Sequence, residues 1–416
     1  MSNGMKGWAI VDEEGRLVLP ANILHQHGLK PGTRLLVEEN HNSLDLHPPA
    51  SRLGRIYIEP TNRCNITCRA CIRNIWETEM GQMRASTFDA IMEGIRATVP
   101  KPEVFFGGFG EPLAHPKIIH MVQKAKEAGC WVELITNGTL LTPTTSRNLI
   151  DAGLDLLWVS IDGAREQSYA DLRLGAQLPL VLENLGKFKA SRAYAWLPHP
   201  EIGIVFVIMK RNAADLPEMI SLALHYGASR FLVTNLLPYS PELAGEVLYT
   251  RSLKSRTYLH SPWIPNLSLP KLDYNETTRL AFDTALKGSH SLTITRNDLS
   301  SANDSCPFIR RGSIAIGWDG SVSPCLPLLY SHTSYLRQRQ RNTSRWVIGK
   351  LTERGLLEIW KDPEYVSFRE RVQEFEFSPC TFCGGCDYSD NSADCVGNEF
   401  PACGGCLWAQ GIIQCP

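Results

Sequence analysis

Short apolar runs alternate with amphipathic stretches between residues 53 and 237 of the chain. Apolar runs of this kind are typical of buried strands, whereas apolar residues that recur every three or four positions indicate helices. Repeated strand-then-helix units predict an α/β fold, in which a parallel sheet curls into a partial (β/α)6 barrel with its chemistry at the carboxyl ends of the strands. The predicted strands are 55–59, 104–107, 131–136, 156–161, 202–209 and 231–234, and the clearest predicted helices are 88–99, 116–128 and 216–226.

The segments on either side of this region have different patterns. Residues 1–50 predict a small β-rich domain, because short apolar runs are separated there by turn residues and one short helical stretch. Residues 238–303 have no clear period before a helical patch near 277–286, and we interpret them as a bridging segment. A Cys- and Gly-rich C-terminal extension follows, with helices predicted at 356–360 and 363–372. The expected domains are therefore 1–50, 53–237, 238–303 and 304–416.

Composition narrows the class of protein. The chain has 416 residues, of which 42 are Lys or Arg, 43 are Asp or Glu, and 43% are hydrophobic. This balance indicates an ordinary folded protein, and it argues against a nucleic-acid coat or a polybasic membrane anchor. Residues 1–16 contain no apolar signal segment, and the longest apolar run, 202–209, is far shorter than the ~20 residues that span a bilayer. We therefore expect a cytoplasmic protein without membrane contact, whose clustered cysteines bind metal instead of forming disulfides.

The 13 cysteines are unevenly distributed. Cys64, Cys68 and Cys71 follow the first predicted barrel strand, and nine others lie between residues 306 and 415. Three thiolates on one tight loop can bind three irons of a [4Fe–4S] cube and leave the fourth iron open. A structural zinc site would need a fourth ligand close by. The next cysteine is Cys130, which we interpret as a small buried hydrophobe.

The sequence PTNRCNITCRAC resembles the cluster loop of radical S-adenosylmethionine (SAM) enzymes, whose fold is a partial TIM-like barrel. The resemblance implies that SAM chelates the open iron, and that one electron cleaves SAM to methionine and a 5′-deoxyadenosyl radical. FFGGFGEP, ITNGTLL and WVSIDG, which follow the next three strands, resemble the family's segments for the methionine amine, the methionine and the ribose. Taken singly, each would also be explained as a tight turn or a helix cap. The residues that the resemblance assigns to SAM are Gly107, Gly108, Gly110, Glu111, Thr136, Asn137, Ser160 and Asp162.

The C-terminal cysteines resemble those of the SPASM extension, which binds two auxiliary [4Fe–4S] clusters. The segment IGWDGSVSPC fits that pattern, but the later spacing departs from it, and nine candidates exceed the eight ligands of two four-ligand cubes. The ligand allotment therefore stays open. A zinc ribbon built from the two C-x2-C pairs at 383–386 and 403–406 is the alternative. The candidate metal ligands are Cys306, Cys325, Cys380, Cys383, Cys386, Cys395, Cys403, Cys406 and Cys415.

The closing sequence CTFCGGCDYSDNSADCVGNEFPACGGCLWAQGIIQCP is more specific. Together with the cluster loop and FFGGFGEP, it is similar to the cofactor-modifying maturases of tungsten-containing aldehyde ferredoxin oxidoreductases. The similarity covers roughly residues 53–416. It implies that the chain matures a tungsten or molybdenum bis-pterin oxidoreductase or its cofactor, with a ferredoxin or flavodoxin as electron donor.

The N-terminal sequence GRLVLPANILHQHGLKPGTRLLVEE resembles the AbrB-like swapped-hairpin domain. In that family two copies interlock, and the dimer often binds DNA. The chain has one copy of this unit and no strongly basic face, which favours a homodimer or partner docking over binding of nucleic acid.

A basic segment near residue 340 suggests an anion site. No acidic residue occurs between Asp319 and Glu353, and Arg337, Arg339 and Arg341 alternate with glutamine, so that on a strand they share one face. Planar guanidinium groups suit phosphate oxygens. We therefore hypothesise that they receive the phosphates of a pterin cofactor or an acidic partner surface; a solvated basic loop is the alternative.

Two other functions fit the same sequence. One is a SPASM enzyme that cross-links or oxidises a ribosomally made peptide. The other is a non-enzymatic iron–sulfur regulator that uses the AbrB-like unit on DNA. Release of 5′-deoxyadenosine from SAM separates the regulator from both enzymes.

Overall fold

The computed structural model describes residues 8–40, 43–194, 199–249, 266–269, 271–287, 292–294, 305–336, 339–375, 377, 391, 393 and 397–416. In these residues the strands, in chain order, are β1 (Ile10–Val11), β2 (Leu17–Val18), β3 (Leu36–Asn40), β4 (Ser43–His47), β5 (Arg55–Ile58), β6 (Thr67–Cys68), β7 (Glu103–Phe106), β8 (Val132–Thr136), β9 (Leu156–Ser160), β10 (Arg173–Leu174), β11 (Glu201–Ile208), β12 (Arg230–Asn235), β13 (Asn266–Leu269), β14 (Leu292–Ile294), β15 (Ser313–Ile316), β16 (Ser321–Ser323), β17 (His332–Leu336), β18 (Arg339–Thr343) and β19 (Gly349–Lys350).

The helices of the same residues lie mostly between these strands. They are α1 (Ala21–Gln26), α2 (Ala85–Ala97), α3 (Ile118–Glu127), α4 (Pro143–Asp151), α5 (Glu166–Leu172), α6 (Leu178–Tyr194), α7 (Leu216–His225), α8 (Pro241–Ala244), α9 (Arg279–Lys287), α10 (Pro307–Arg310), α11 (Leu356–Trp360) and α12 (Pro363–Glu374). Short 3₁₀ turns occur at Ile72–Ile75, Pro112–Ala114, Ala213–Asp215 and Leu326–Leu328. Among the described helices, none has the length and apolar character needed to cross a bilayer.

Eleven of the described strands form one sheet at the centre of the fold, in the order β14-β13-β12-β11-β9-β8-β7-β5-β15-β16-β19. The six strands expected from the sequence are β5, β7, β8, β9, β11 and β12, and each agrees with its predicted limits to within one residue. All six pair in parallel. They form because runs of apolar residues are covered on both faces, as in β5, where every residue is buried. The α/β fold is therefore confirmed.

The sheet extends beyond these six strands at both edges. β13 and β14 continue it in parallel from β12, although residues 238–303 show no strand period in the sequence. On the other edge, β15 of the C-terminal extension pairs in parallel with β5, with Ile314 opposite Ile56. The added strands have only three or four residues each, too few to establish a period, so tertiary pairing decides their structure.

The N-terminal region has two hairpins. β1 pairs with β2 and β3 pairs with β4, both antiparallel, with α1 between them. Their apolar side chains are exposed, and those of Trp8, Ile10 and Leu44 keep 92%, 65% and 69% of their surface in solvent. Two-stranded hairpins are marginal alone in water, because one thin ribbon cannot bury its own apolar face.

Candidate active site

Three thiols lie on the loop that follows β5, at the carboxyl end of the sheet. Cys68 belongs to β6, and its pairing with Arg173 of β10 anchors this loop to the barrel. Arg73 Nε lies 3.4 Å from the sulfur of Cys71, and Asn137 Nδ2 lies 3.7 Å from the sulfur of Cys64. The loop therefore presents three sulfur ligands, and N–H groups lie near the sulfurs of Cys64 and Cys71.

This donor set fits a [4Fe–4S] cluster with one iron left for another ligand. Burial raises the pKa of Cys68 to about 11 and also raises the pKa of Cys64, so iron binding must release their protons at neutral pH. In the described part of the chain, no three His, Cys, Asp or Glu side chains converge as they would around a single metal ion. A [4Fe–4S] cluster binds its cysteines at different irons, so its sulfur ligands lie farther apart than the ligands of a single metal ion.

The glycine-rich turn after β7 packs directly on the cysteine loop. The backbone N–H of Glu111 donates to the carbonyl of Arg63, the residue before Cys64, at 2.8 Å. A Cβ on Gly110 would lie 2.1 Å from the Thr61 carbonyl oxygen, and one on Gly108, whose φ is +147°, would lie 2.7 Å from the Glu59 side chain. Both positions therefore require glycine for this contact between the two loops.

Glu111 joins the ends of β7 and β8. Its Oε1 accepts hydrogen bonds from Thr136 Oγ1 at 2.8 Å and Leu113 N at 3.0 Å, and its Oε2 accepts one from Asn137 N at 2.8 Å. A carboxylate offers about four acceptor positions, so these three bonds leave room for one more donor. Burial raises the pKa of Glu111, and a bound cation would restore its charged form.

A buried arginine of β10, which no sequence motif predicts, lies beside the end of β9. Arg173 Nε donates to Asp162 Oδ2 at 2.6 Å, and Arg173 Nη2 donates to Ser160 Oγ. Ser160 and Asp162, two of the eight residues predicted to contact SAM, thus hold a buried guanidinium beside Cys68. An isolated Arg in the segment DLRLG gives no sequence signal, because its position depends on the pairing of β10 with β6.

A buried carboxyl group lies beside the same rim. Glu59 follows β5 and has no exposed surface; its Oε1 accepts from Phe109 N at 2.9 Å, and its Oε2 accepts from the hydroxyl of Tyr330. Tyr330 comes from the C-terminal extension and also contacts Trp76 and Phe109 through their rings. Burial raises the pKa of Glu59 from an ordinary 4.5 to about 7, against the opposing effect of these hydrogen bonds.

This raised pKa predicts a pH dependence of stability. Between pH 4.5 and about 7 the folded protein keeps a proton on Glu59 that the unfolded chain has released, so stability falls as pH rises, by on the order of 1 kcal/mol per pH unit. Glu59→Gln removes this titration. In urea unfolding at about pH 5, 6 and 7, the stability of the wild type relative to Glu59→Gln should decrease steadily, and a difference independent of pH would contradict the assignment.

Four of the C-terminal cysteines come together. Cys306, Cys325, Cys403 and Cys406 line one cavity of about 100 Å³. Cys415 is placed elsewhere, with its sulfur 3.2 Å from Trp408 Nε1. The predicted ligands Cys380, Cys383, Cys386 and Cys395 lie outside the described residues. Cys130 has 2% of its surface exposed and packs in the barrel core, which agrees with its interpretation as a buried hydrophobe.

The basic segment is partly described. Arg337 lies outside the described residues. Arg339 and Arg341 share the half-buried face of β18. Arg341 Nη1 donates to the carbonyl of Gly405 at 3.1 Å, so this guanidinium faces a cysteine loop of the extension itself.

Comparison with known proteins agrees with this geometry. The Radical SAM superfamily profile matches residues 58–223, and the SPASM profile, an iron–sulfur cluster-binding domain, matches residues 306–387. The chain is 30% identical over 370 residues to the tungsten-containing aldehyde ferredoxin oxidoreductase cofactor-modifying protein of Pyrococcus furiosus, covering 87% of this chain and 96% of that protein. It is 28% identical over 247 residues to the PqqA peptide cyclase of Gluconobacter oxydans, covering 59% of this chain and 60% of that protein.

Solved structures share the fold. The native anSMEcpe structure with bound AdoMet matches with a TM-score of 0.52 and 18% identity, over 79% of this chain and 86% of that one. Streptococcus suis SuiB bound to its precursor peptide SuiA matches with a TM-score of 0.51 and 17% identity, over 77% of this chain and 67% of that one. The chain is therefore a radical SAM enzyme with a [4Fe–4S] cluster, SAM and a SPASM domain for auxiliary clusters, and it belongs to the family of the tungsten-containing aldehyde ferredoxin oxidoreductase cofactor-modifying protein.

Proposed function

We propose that Cys64, Cys68 and Cys71 hold the cluster that cleaves SAM, and that the enzyme matures a tungsten or molybdenum bis-pterin aldehyde ferredoxin oxidoreductase or its cofactor. The observation that carries the site is the contact of the cysteine loop with the ends of β7, β8 and β9 at one rim of the sheet. The target is supported by the Pyrococcus furiosus relative, because the similarity spans 96% of that protein and so includes both the barrel and the extension.

When bound, the cluster and SAM together supply a 5′-deoxyadenosyl radical. The residues of the chain position SAM. Glu111 has room to accept one hydrogen bond from the methionine ammonium, and Arg173 offers a guanidinium to the methionine carboxylate. Ser160 and Asp162 fix the orientation of Arg173, so we assign them to SAM binding through this residue. Gly107, Gly108 and Gly110 allow the close approach of the loop, and Thr136 and Asn137 hold Glu111.

Arg173 gives a quantitative prediction. Arg173→Gln should weaken SAM binding about 10-fold or more, because a charge-assisted hydrogen bond contributes roughly 1.5–3 kcal/mol. The measurement is equilibrium binding of SAM to the reconstituted protein without reductant. Arg69→Gln is the matched control, because Arg69 lies on the same loop but makes a half-exposed ion pair with Asp171. Equal dissociation constants for wild type and Arg173→Gln would remove Arg173 from the site.

Deletion of the gene in the native host tests whether a tungsten oxidoreductase is the target of this enzyme. Deletion of the gene should leave the tungsten oxidoreductase inactive, and its extracted cofactor should differ in mass from that of the wild type. Complementation with the full chain should restore both, whereas complementation with a Cys64, Cys68 and Cys71 alanine variant should restore neither. Normal activity and normal cofactor mass in the deletion strain would refute the maturation role.

A peptide substrate is the second candidate. It is favoured by the similarity to relatives named as PqqA peptide cyclases, although the alignment with that of Gluconobacter oxydans covers 59% of this chain against 87% for the Pyrococcus furiosus protein. A short open reading frame beside the gene, whose product changes mass in the presence of the enzyme, would support this function over maturation of a tungsten enzyme.

We further propose a cytoplasmic protein that receives electrons from a ferredoxin or flavodoxin and dimerises through residues 1–50. The dimer is supported by exposed apolar side chains in and beside the two hairpins, which include Ile10, Leu44 and the preceding Trp8. Light scattering should report twice the mass of one chain for the full protein and the mass of one chain after removal of residues 1–50. Equal oligomeric states would exclude this interface.

A further inference from the structure

The four-cysteine cavity of the extension assembles ligands from separate parts of the chain. Cys306 precedes α10, Cys325 follows β16, and Cys403 and Cys406 lie on one tight turn near residue 405. Of the cysteines in residues 305–336 and 397–416, Cys415 alone stays outside this cavity. Four thiols around one space supply the complete cysteine ligand set of a [4Fe–4S] cluster.

A cation from the neighbouring hairpin lies in the same cavity. Arg341 of β18 is one of its lining residues, and its Nη1 donates to the carbonyl of Gly405 at 3.1 Å. Gly405 lies between Cys403 and Cys406 in the sequence. A Cβ on Gly405 would lie 2.1 Å from Arg341 Nη2, so a side chain at position 405 would displace this guanidinium.

The positive charge of the Arg341 guanidinium would interact with the negative charge of the cluster. Four thiolates give a [4Fe–4S] cluster a net negative charge, and reduction adds one more electron. A guanidinium remains protonated at any working pH. Its attraction for the reduced cluster therefore exceeds its attraction for the oxidised cluster, and net charge near a cluster is one of the factors that set its potential.

We propose that Arg341 raises the reduction potential of an auxiliary [4Fe–4S] cluster held in this cavity by Cys306, Cys325, Cys403 and Cys406. Arg341 is a positioning residue that acts through the cluster and the turn at Gly405. The proposal rests on the auxiliary clusters of the SPASM domain and is independent of the tungsten target. It leaves Cys415 outside this ligand set.

The potential is tested by a redox titration followed by electron paramagnetic resonance. The experiment uses the full chain with Cys64, Cys68 and Cys71 replaced by alanine, reconstituted anaerobically with iron and sulfide. Because this variant lacks the cluster that binds SAM, only the auxiliary clusters contribute to the titration. Arg341→Gln should shift one midpoint potential to a more negative value with unchanged iron content. Arg341→Lys should restore much of the shift, because it keeps the positive charge. Unchanged midpoints in Arg341→Gln would overturn the proposal.

Two matched variants separate this effect from a general disturbance of the hairpin. Gly405→Ala displaces the guanidinium without removing it, and it should shift the same midpoint in the same direction. Arg339→Gln changes the neighbouring arginine on the same face of β18 and should leave both midpoints unchanged. A shift in Arg339→Gln equal to that in Arg341→Gln would overturn the specific role of Arg341.

The iron content and the resonance signals of the same protein test which cysteines bind the cluster. Replacement of Cys403 and Cys406 by alanine should remove the iron and the signal of one cluster and leave the other. Cys415→Ala should retain that iron and that signal. Full iron content without Cys403 and Cys406, or loss of the same signal in Cys415→Ala, would overturn the allotment. Because SAM cleavage is absent from this background, neither result depends on the proposed target.

Discussion

Replacement of Cys64, Cys68 and Cys71 by alanine is expected to abolish the release of 5′-deoxyadenosine from SAM. The three thiols are the sulfur ligands presented by the loop after β5, and the residues proposed to position SAM surround that loop. Without the cluster, SAM has no iron to bind and no electron to receive. The measurement is chromatography of 5′-deoxyadenosine after anaerobic incubation of the reconstituted protein with SAM and dithionite.

The controls for this prediction come from the same chain. Cys130→Ala removes a cysteine from the barrel core, far from any other cysteine in the sequence, and should retain SAM cleavage. The iron content of the triple variant should fall by one cluster, while the auxiliary clusters remain. Release of 5′-deoxyadenosine by the triple variant at the wild-type rate would show that the cluster for SAM is held elsewhere.

Loss of the ion pair between Arg55 and Glu133 is expected to give the largest change in stability. Both side chains are buried, with 4% and 5% of their surface exposed, and Arg55 Nη2 lies 3.0 Å from Glu133 Oε2. Although burial opposes ionisation, the Arg55 guanidinium and indole donors hold the pKa of Glu133 below its usual value. Those donors are Trp131 Nε1 at 3.1 Å and Trp158 Nε1 at 2.9 Å.

Removal of Arg55 would leave the buried carboxylate of Glu133 without a counter-charge, so Arg55→Ala should reduce the free energy of unfolding by about 3–5 kcal/mol. Glu133→Ala should cost less, because Arg55 keeps a second ion pair in which its Nη1 lies 2.7 Å from Glu103 Oε2. Lys124→Ala is the matched control, because Lys124 makes a half-exposed pair with Glu127 on α3 that contributes about 1 kcal/mol or less. In urea unfolding followed by tryptophan fluorescence, a loss in Arg55→Ala no larger than that in Lys124→Ala would contradict this account.

The sequence predicted the elements whose pattern repeats locally. β5, β7, β8, β9, β11 and β12 were predictable because each is an apolar run covered by helices. The cysteine triplet was predictable because its three ligands lie on one loop. β13 and β14 were not, since strands of four and three residues show no period and form by pairing with neighbours.

The features of the two sites that the sequence did not predict depend on contacts between segments that are distant in the sequence. Arg173 reaches Ser160 and Asp162 because β10 pairs with β6, a contact that joins residues separated by more than a hundred positions. Arg341 was predicted to share a strand face with Arg339, and it does, but the sequence could not show that this face includes the turn at Gly405. The grouping of Cys306 and Cys325 with Cys403 and Cys406 likewise requires the folded extension.

Spectroscopy can show directly whether SAM binds the cluster proposed to be held by Cys64, Cys68 and Cys71. The reconstituted protein, reduced with dithionite, is studied by electron–nuclear double resonance with SAM labelled by ¹⁵N in its methionine amino group. We expect a ¹⁵N coupling in the wild type that disappears when the three cysteines are replaced by alanine. Bound SAM without ¹⁵N coupling in the wild type, or a coupling that survives in the triple variant, would contradict it.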